Sequence, residues 1–254
     1  MKQKLRGSSR HRNRSLRINS KTREHEENQT TFDARDKWSH CPSISRTYGK
    51  GVCSSCWAVV VAEVLTDRSC IKSNGRNTFN YSARNLATCC KDCGNITVGG
   101  FPHKAFAYWK TTGIVSEECQ PYNVSDMDCQ YGKDISKCET ECVKESKRTY
   151  EDDLRRGNEF YKFCGTTDIQ REIVSNGPVA AGTWADLPKP CTKRIHSCHG
   201  PRQKLDHAVR IIGWGTEKEK DYWLVASSHR NEGNICKIER GKCGIESYVY
   251  SGKD

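Results

Sequence analysis

CSSCWAVVVAEVLTDRSC, residues 53–70, is the stretch of sequence that decides the fold. Its three successive valines favour a β-strand by propensity. Its length and the helical spacing of its apolar residues favour a buried helix instead. Ser54 and Ser55 are typical N-cap residues, which places the helix start at Cys56. Because a helix N-terminus carries partial positive charge that stabilises a thiolate, the stretch predicts a reactive cysteine in the first turn.

Outside this stretch, the hydrophobic pattern predicts more helices and one strand pair. The helices are predicted after Ser82, at 102–111 and at 167–175. Residues 207–214 (HAVRIIGW) alternate with period two, and a charged turn at 216–221 leads into 222–228 (YWLVASS), which predicts an antiparallel pair. His207 begins the first strand and Ser227 is near the end of the second, so we expect these two residues to lie close together.

The basic charge of the chain is concentrated in its N-terminal tail. The 254 residues have a formal net charge of +11, but nine Lys and Arg residues lie in 1–23, and residues 24–254 have a net charge of +2. The tail has no aromatic or apolar pattern, which is typical of a solvated, disordered segment. No run of about 18 apolar residues occurs. We therefore expect no nucleic-acid partner and no transmembrane segment.

The cysteine content indicates an oxidising compartment. The chain has 16 cysteines, a content typical of disulfide-bonded proteins. Five N-x-S/T glycosylation sequons, which predict a glycoprotein, begin at Asn13, Asn28, Asn80, Asn95 and Asn123. Residues 1–17 lack the apolar core of a secretory signal. Two explanations stay open: the true start lies upstream, which we favour, or the cysteines are unpaired.

The run Cys53–Trp57 resembles the nucleophile signature C-G-[SA]-C-[WY] of papain-type cysteine peptidases, with Ser54 at the first glycine. His207 follows Cys56 by 151 residues, close to the spacing of that family. The similarity continues from about Phe32 to Tyr250. Its segments occur in the family's order and are most similar to the cathepsin B type: TFDARDKWSHCPSI, TDRSCI, LATCC, GIVS, QPY, NGPV, HAVRIIGWG, YWLVA and KCGIES.

This resemblance implies an α+β, papain-like two-domain fold. A helical left domain and a β-barrel-like right domain would enclose the active-site cleft between them. We expect a basic, disordered tail at 1–31, the left domain with the nucleophile at 32–150, and the right domain with the catalytic histidine at 151–254. The resemblance also implies a monomer without a cofactor or metal.

The implied chemistry is cleavage of peptide bonds by acyl transfer. A Cys56 thiolate attacks the peptide carbonyl, His207 protonates the leaving amine, and water hydrolyses the thioester. The implied partners are peptide or protein substrates and protein inhibitors of cysteine peptidases, and the implied location is lysosomal or extracellular. A zinc site built from the C-x-x-C pairs is disfavoured, because the resemblance assigns these cysteines to disulfides.

Four positions depart from the family pattern at the predicted catalytic centre. Lys50 replaces the glutamine that completes the oxyanion hole, a type of donor whose loss costs about 10²–10³ in turnover. Ser227 replaces the asparagine that orients the histidine, and His229 replaces the tryptophan that shields their bond. Asp206 replaces the glycine before the histidine and adds bulk and charge.

The predicted substrate-binding positions are partly retained. Gly99 and Gly100 match the glycine pair whose backbone meets an extended substrate. Tyr248 replaces the acidic residue of the S2 pocket, so a preference for basic side chains is not expected. Residues 121–142 contain no histidine, whereas the occluding loop of cathepsin B has two. We therefore expect endopeptidase and not exopeptidase activity.

The resemblance implies disulfides where both family cysteines are present. These are Cys41–Cys70, Cys89–Cys138, Cys90–Cys93 and Cys119–Cys142. The partner of Cys53 is replaced by Thr97, so Cys53 is expected to be a free thiol. Cys191 and Cys198 are close enough in sequence to close a local loop.

Two hypotheses of function remain open. Cys56 and His207 favour a cysteine endopeptidase of cathepsin B type, slow or of altered specificity. A catalytically inactive relative that binds peptides or proteins in the same cleft is favoured by four substitutions, at Lys50, Asp206, Ser227 and His229.

Overall fold

The fold is seen in a computed structural model that describes residues 30–47, 53–77, 79–123, 137–184, 191, 194–199, 204–228 and 233–253. Six α-helices lie in this part: α1 (Ala34–Lys37), α2 (Cys56–Lys72), α3 (Ala83–Cys89), α4 (Pro102–Thr111), α5 (Tyr150–Asp153) and α6 (Thr166–Asn176). A 3-10 helix spans Pro42–Ser45. The predicted basic tail, apart from residues 30 and 31, lies outside the described residues.

Helix α2 is the buried helix that the CSSCW stretch predicts. Every residue from Cys56 to Cys70 is buried. A helix that is apolar nearly all round its axis belongs in a core, which is why the valine run forms a helix here and not a strand. The helix continues to Lys72, close to the predicted end. Among the described helices, none combines the length and apolarity needed to cross a bilayer.

The other predicted helices are confirmed. The Ser82 hydroxyl accepts a bond of 3.0 Å from the Asn85 N–H and so caps α3. Helix α4 begins at Pro102, whose missing N–H costs nothing at a first helical position. Helix α6 extends one residue beyond each predicted end.

Ten strands are described: β1 (Phe32–Asp33), β2 (Gly94–Asn95), β3 (Gly99–Gly100), β4 (Glu159–Phe163), β5 (Val179–Thr183), β6 (Ile195–His196), β7 (His207–Glu217), β8 (Lys220–Ser228), β9 (Gly233–Glu239) and β10 (Val249–Lys253). The large sheet has the order β4-β10-β5-β7-β8-β9-β6, with β1 on β7. Its pairs are antiparallel except β6–β9. Strands β2 and β3 form a separate hairpin.

The expectation of a barrel-like right domain is wrong, because the large sheet does not close. In the described residues β4 and β6 lie at opposite edges and do not pair. Strand β6 has two residues, too few hydrogen-bonding positions to continue the sheet round to β4. The α+β fold class itself is confirmed by the mixture of six helices and a large sheet in the described residues.

The predicted antiparallel pair is β7–β8. It is longer than predicted, and its turn is only Lys218 and Glu219. Both residues have positive φ, 50° and 62°, as a two-residue type I′ hairpin requires. The tight turn fixes the register that places His207 near Ser227.

Two buried clusters form the hydrophobic core. One lies around α2, α3 and α4 and includes Trp57 and Trp109. The other lies on the sheet with α6 and includes Phe32, which stacks on Trp214 at 4.9 Å between ring centroids. The N-terminal residues from Phe32 to Ile44 therefore pack with the sheet. The division of the chain near residue 150 stays a prediction.

The four disulfides implied by the resemblance are formed. Two other expectations are wrong. Cys53 is disulfide-bonded and not a free thiol. Cys191 and Cys198 do not bond each other: the bonds are Cys191–Cys236 and Cys198–Cys243. The parallel pairing of β6 with β9 brings Cys191 and Cys198 close to Cys236 and Cys243. The two bonds therefore join the β6 segment to the β9 segment and do not close a local loop.

Candidate active site

Cys56 is the first residue of α2, and its sulfur is not part of a disulfide. Its surface is 8% exposed, so the residue is almost fully buried. The seventeen residues of α2 direct their N-terminal partial positive charge towards this sulfur, which favours the thiolate. Cys164 is the other described cysteine outside a disulfide, and it is exposed.

Tyr122 is a neighbour of the nucleophile that sequence reasoning missed. Its hydroxyl is 2.6 Å from the Oγ atom of Ser55, the buried N-cap of α2. Burial raises the pKa of the Tyr122 phenol; the Ser55 bond opposes the rise and the charge of Cys56 adds to it. Because Ser55 directly precedes Cys56, the phenol lies at the N-terminal end of the nucleophile helix. The QPY segment contained the residue but no sign of this contact.

His207 and Ser227 meet as the strand pattern predicts. The Nε2 atom of His207, at the start of β7, lies 2.9 Å from Oγ of Ser227, near the end of β8. Ser227 is 1% exposed, so little water competes for this bond. The bond orients the imidazole through Nε2 and leaves Nδ1 as the nitrogen for proton exchange with a nucleophile. The catalytic roles of both residues stay predictions.

The nucleophile helix packs directly on the strand that carries the histidine. Ala208, next to His207, lies in the same buried cluster as Cys56. Further along the same two elements, Arg210 on β7 forms an ion pair with Asp67 on α2, and both side chains are 0% exposed. The sequence separates Cys56 from His207 widely, but α2 and β7 are fixed to each other.

Arg210 also holds the segment before the nucleophile. Its guanidinium donates to the main-chain carbonyls of Ser43, Ile44 and Arg46, at 3.3, 3.4 and 2.7 Å. Burial raises the pKa of Asp67, and the positive charge of Arg210 opposes that rise. Arg210 therefore links three parts of the molecule: α2, β7 and the segment that leads towards Lys50.

The glycine pair lies beside the nucleophile helix. A Cβ on Gly100 would stand 2.6 Å from the Trp57 ring, so no larger residue fits there. Gly99 has a φ of +102°, a conformation that glycine adopts without strain. The backbone of β3 is thus held against Trp57, the residue that follows Cys56.

Tyr248 forms part of an aromatic group with His103, which sequence reasoning also missed. The Tyr248 hydroxyl contacts Nδ1 of His103 and accepts a bond of 3.3 Å from its main-chain N–H. Burial raises the pKa of Tyr248 to about 12. Burial lowers the pKa of His103, and Lys104 adds to this effect. At neutral pH the pair is therefore uncharged.

The remaining predicted positions are only partly described. Asp206 is exposed, and its main-chain N–H donates to the carbonyl of Thr183 at 3.2 Å. Thr183 lies opposite His207 in the β5–β7 pair, so Asp206 is fixed next to the histidine. Lys50 and His229 lie outside the described residues.

A cysteine acts as a nucleophile when its thiolate lies beside a histidine that can give and accept a proton. Helix α2 supplies the first group and the β7–β8 pair supplies the second, on elements that pack together. This arrangement is typical of cysteine-dependent hydrolases.

The chain belongs to the papain family of cysteine proteases, because residues 28–253 match the sequence model of that family. It is 39% identical over 248 residues to a "Cathepsin B-like cysteine proteinase" of Schistosoma japonicum, covering 87% of this chain and 72% of that one. It is 36% identical over 241 residues to a "Gut-specific cysteine proteinase" of Caenorhabditis elegans, covering 88% and 73%.

Solved structures agree with this assignment. The "proCathepsin B S9 from Trypanosoma congolense" has a TM-score of 0.70 and 29% identity, and the match covers 91% of this chain and 80% of that one. Procathepsin L 3 of Tenebrio molitor has a TM-score of 0.67 at 19% identity, covering 89% and 70%, and so supports the fold alone. The resemblance seen in the sequence is confirmed.

Proposed function

We propose that this protein is a cysteine endopeptidase of the cathepsin B type that cleaves peptides or proteins through a thioester at Cys56. The observation that carries the proposal is the position of Cys56, outside any disulfide, at the start of a buried helix that packs on the strand of His207.

The roles of the residues follow from their positions. Cys56 attacks the peptide carbonyl, and the main-chain N–H of Cys56, in the first turn of α2, is placed to donate to the oxyanion that forms. His207 gives a proton to the leaving amine and then takes one from the water that attacks the thioester. Ser227 keeps the imidazole in the required orientation. We propose Lys50 as a substitute oxyanion donor.

We propose further that the S2 pocket takes apolar side chains. Tyr248 and His103 are uncharged at neutral pH and present ring surfaces, with Tyr250 packed on both. A basic side chain would find no carboxylate among them. Gly99 and Gly100 would pair with the substrate backbone, and Asp206 would border the cleft on the histidine side.

The expected setting is lysosomal or extracellular, with action as a monomer. Its disulfides support an oxidising compartment. One relative is by its name a gut-specific cysteine proteinase, which supports a lysosomal or secreted location by family. Protein inhibitors of cysteine peptidases are proposed as further partners.

One observation favours the alternative, an inactive relative that binds peptides. Ser227 has a single hydroxyl, whereas the family asparagine offers an amide with two donors and a carbonyl oxygen. A less firmly held imidazole would leave the fold and the cleft intact but slow proton transfer. The alternative therefore predicts peptide binding without turnover.

Labelling with an epoxide inhibitor of the E-64 type, mapped by mass spectrometry, tests the proposal. An ordinary cysteine has a pKa of about 8.5 and reacts little in acid. If Cys56 is an activated thiolate, it should be alkylated at about pH 5–6, and faster than the exposed Cys164, which serves as an internal reference. The Cys56→Ser variant is the control for labelling at other sites.

Labelling of Cys56, followed by turnover of short peptides with apolar side chains at P2, would support the endopeptidase. Labelling no faster than that of Cys164, in protein shown to be folded, would refute it. Binding of the same peptides without cleavage would then favour the inactive relative.

A further inference from the structure

The hairpin β2–β3 carries one of the predicted glycosylation sequons, and it differs from the other sequon that the structure describes in full, at Asn80. In Asn95-Ile96-Thr97, Asn95 and Thr97 are exposed, and Ile96 is 2% exposed. The carbonyl of Ile96 accepts a bond of 2.6 Å from the N–H of Ser54, two residues before Cys56. The hydrophobic middle residue therefore anchors the sequon, and the two residues that a glycosylating enzyme recognises face solvent.

The acceptor side chain already contacts the hydroxyl of its sequon. The Oδ1 atom of Asn95 accepts bonds from the N–H and the Oγ1 of Thr97, at 2.7 and 2.6 Å. Both bonds use the amide oxygen and not the amide nitrogen, which is the atom that takes a glycan. A glycan on that nitrogen would leave these two bonds intact.

Asn80 offers an internal contrast. Its Oδ1 accepts a bond of 2.9 Å from Arg46, and its main-chain carbonyl accepts another from Glu117. Ser82, the hydroxyl residue of that sequon, is 0% exposed; its hydroxyl donates to the carbonyl of Gln120 and caps α3. That sequon is therefore part of the folded structure, whereas Asn95 is at the surface.

The position of Asn95 relates it to the cleft. Asn95 lies directly opposite Gly99 in the hairpin, and Val98 between them in the turn is 84% exposed. Gly100 packs on Trp57, next to Cys56. A group attached to Asn95 would therefore stand at the edge of the strand to which a substrate backbone is proposed to bind.

We propose that Asn95 is an N-glycosylation site and that its glycan covers the Gly99–Gly100 side of the cleft. In this step the amide nitrogen attacks the anomeric carbon of a lipid-linked oligosaccharide diphosphate. The new bond joins carbon to nitrogen, the bond from that carbon to the diphosphate oxygen breaks, and the lipid diphosphate leaves. A base of the transferring enzyme takes the amide proton. Access of large substrates is reduced while short peptides still enter, a consequence that rests on the proposed peptidase function.

The site is tested in protein secreted from eukaryotic cells behind an added leader sequence. The peptide that contains Asn95 should carry a hexosamine-based mass, and peptide-N-glycosidase should remove it and convert Asn95 to aspartate. Two independent variants, Asn95→Gln and Thr97→Val, should both lose the glycan. Thr97→Ser keeps the sequon and should therefore keep the glycan. Asn80→Gln should not change the glycan on Asn95.

Coverage of the cleft is tested by comparing substrates of two sizes. Relative to Asn95→Gln, the glycosylated protein should cleave denatured casein with a kcat/KM about tenfold lower, at the low end of the range over which association rates vary for one interface. Its kcat/KM for a short peptide should be unchanged.

An unmodified Asn95, or a glycan on Asn80 in its place, would overturn the assignment of the site. If the ratio of kcat/KM for casein to kcat/KM for the peptide is the same with and without the glycan, the proposal that the glycan covers the cleft is overturned. Failure of both proteins to cleave the peptide would instead count against the proposed function, and the glycan mass would still decide the site.

Discussion

Replacing Arg210 with methionine should destabilise the protein strongly, because Arg210 is the buried charge that joins α2 to β7. In wild type its guanidinium pairs with Asp67, lies 3.9 Å from a Glu63 oxygen and donates to three main-chain carbonyls. Methionine fills a similar volume but leaves Asp67 buried without its counter-charge. The change therefore isolates the electrostatic role of Arg210 from its packing.

The size of the effect follows from burial. Both side chains of the pair are 0% exposed, and removing one partner of a buried ion pair costs about 3–5 kcal/mol. In a protein of this size about 2–4 °C of melting temperature is lost for each kcal/mol, so the melting temperature should fall by about 6–20 °C. The matched control is Arg171→Met, which breaks the exposed ion pair with Asp168. Its loss of unfolding free energy should be less than about 1 kcal/mol.

The assay is urea unfolding with the disulfides oxidised, followed by tryptophan fluorescence, since Trp57, Trp109 and Trp223 are buried. A pH dependence provides a second signature. Burial is the largest influence on the pKa of Asp67 and raises it above the ordinary 3.8, and without Arg210 only the weaker effects of Ser43 and Arg46 oppose that rise. A group whose folded pKa is raised loses its stabilising contribution as pH rises through that range. The deficit of Arg210→Met should therefore be larger at about pH 7 than at about pH 4.

The double variant Arg210→Met/Asp67→Asn completes the test. With neither charge left buried, it should recover part of the stability that Arg210→Met loses. The reasoning is refuted if Arg210→Met costs no more than Arg171→Met. It is equally refuted if the losses of the two single variants simply add in the double variant.

Three more outcomes are expected. Ser227→Ala removes the bond that orients His207 and should lower kcat/KM for a short peptide about tenfold, the equivalent of one hydrogen bond, with KM little changed; an unchanged kcat would show that Ser227 does not orient the ring. Tyr122→Phe removes the contact with Ser55 and should slow epoxide labelling of Cys56 about two- to tenfold at equal stability; equal labelling rates would assign Tyr122 to packing alone. Because the pKa of His103 is lowered, the wild-type protein should lose stability as pH falls below 6.5. In melting curves between about pH 7 and about pH 5, His103→Asn should show a smaller loss of stability than wild type. A larger loss in the variant would contradict the lowered pKa of His103.

The sequence predicts the elements that local patterns define. The apolar run after Cys56 forms α2, Pro102 begins α4, and the alternation after His207 forms β7. The pairing of β7 with β8 in turn predicts that His207 and Ser227 meet. In each case the signal lies within a few residues, or within two strands joined by a short turn.

What the sequence does not predict depends on residues far apart in the chain. The Cys198–Cys243 bond results from parallel pairing of β6 with β9, for which neighbouring residues carry no signal. Arg210 interrupts an alternating apolar strand and resembles a solvent-facing position, yet it is buried because Asp67 meets it from α2. The sequence did carry one sign of that pair, a charged residue in each apolar segment: Asp67 in α2 and Arg210 in β7.

The two disulfides that bind β6 to β9 also affect how the molecule withstands cleavage of its own backbone. Cys191 and Cys198 lie on either side of β6 and are bonded to Cys236 and Cys243. If a peptide bond between Cys191 and Cys198 is cut, each new end is still attached covalently to the main body of the sheet. The protein can therefore be nicked at this edge strand without losing a fragment, and the break would show only on a reducing gel.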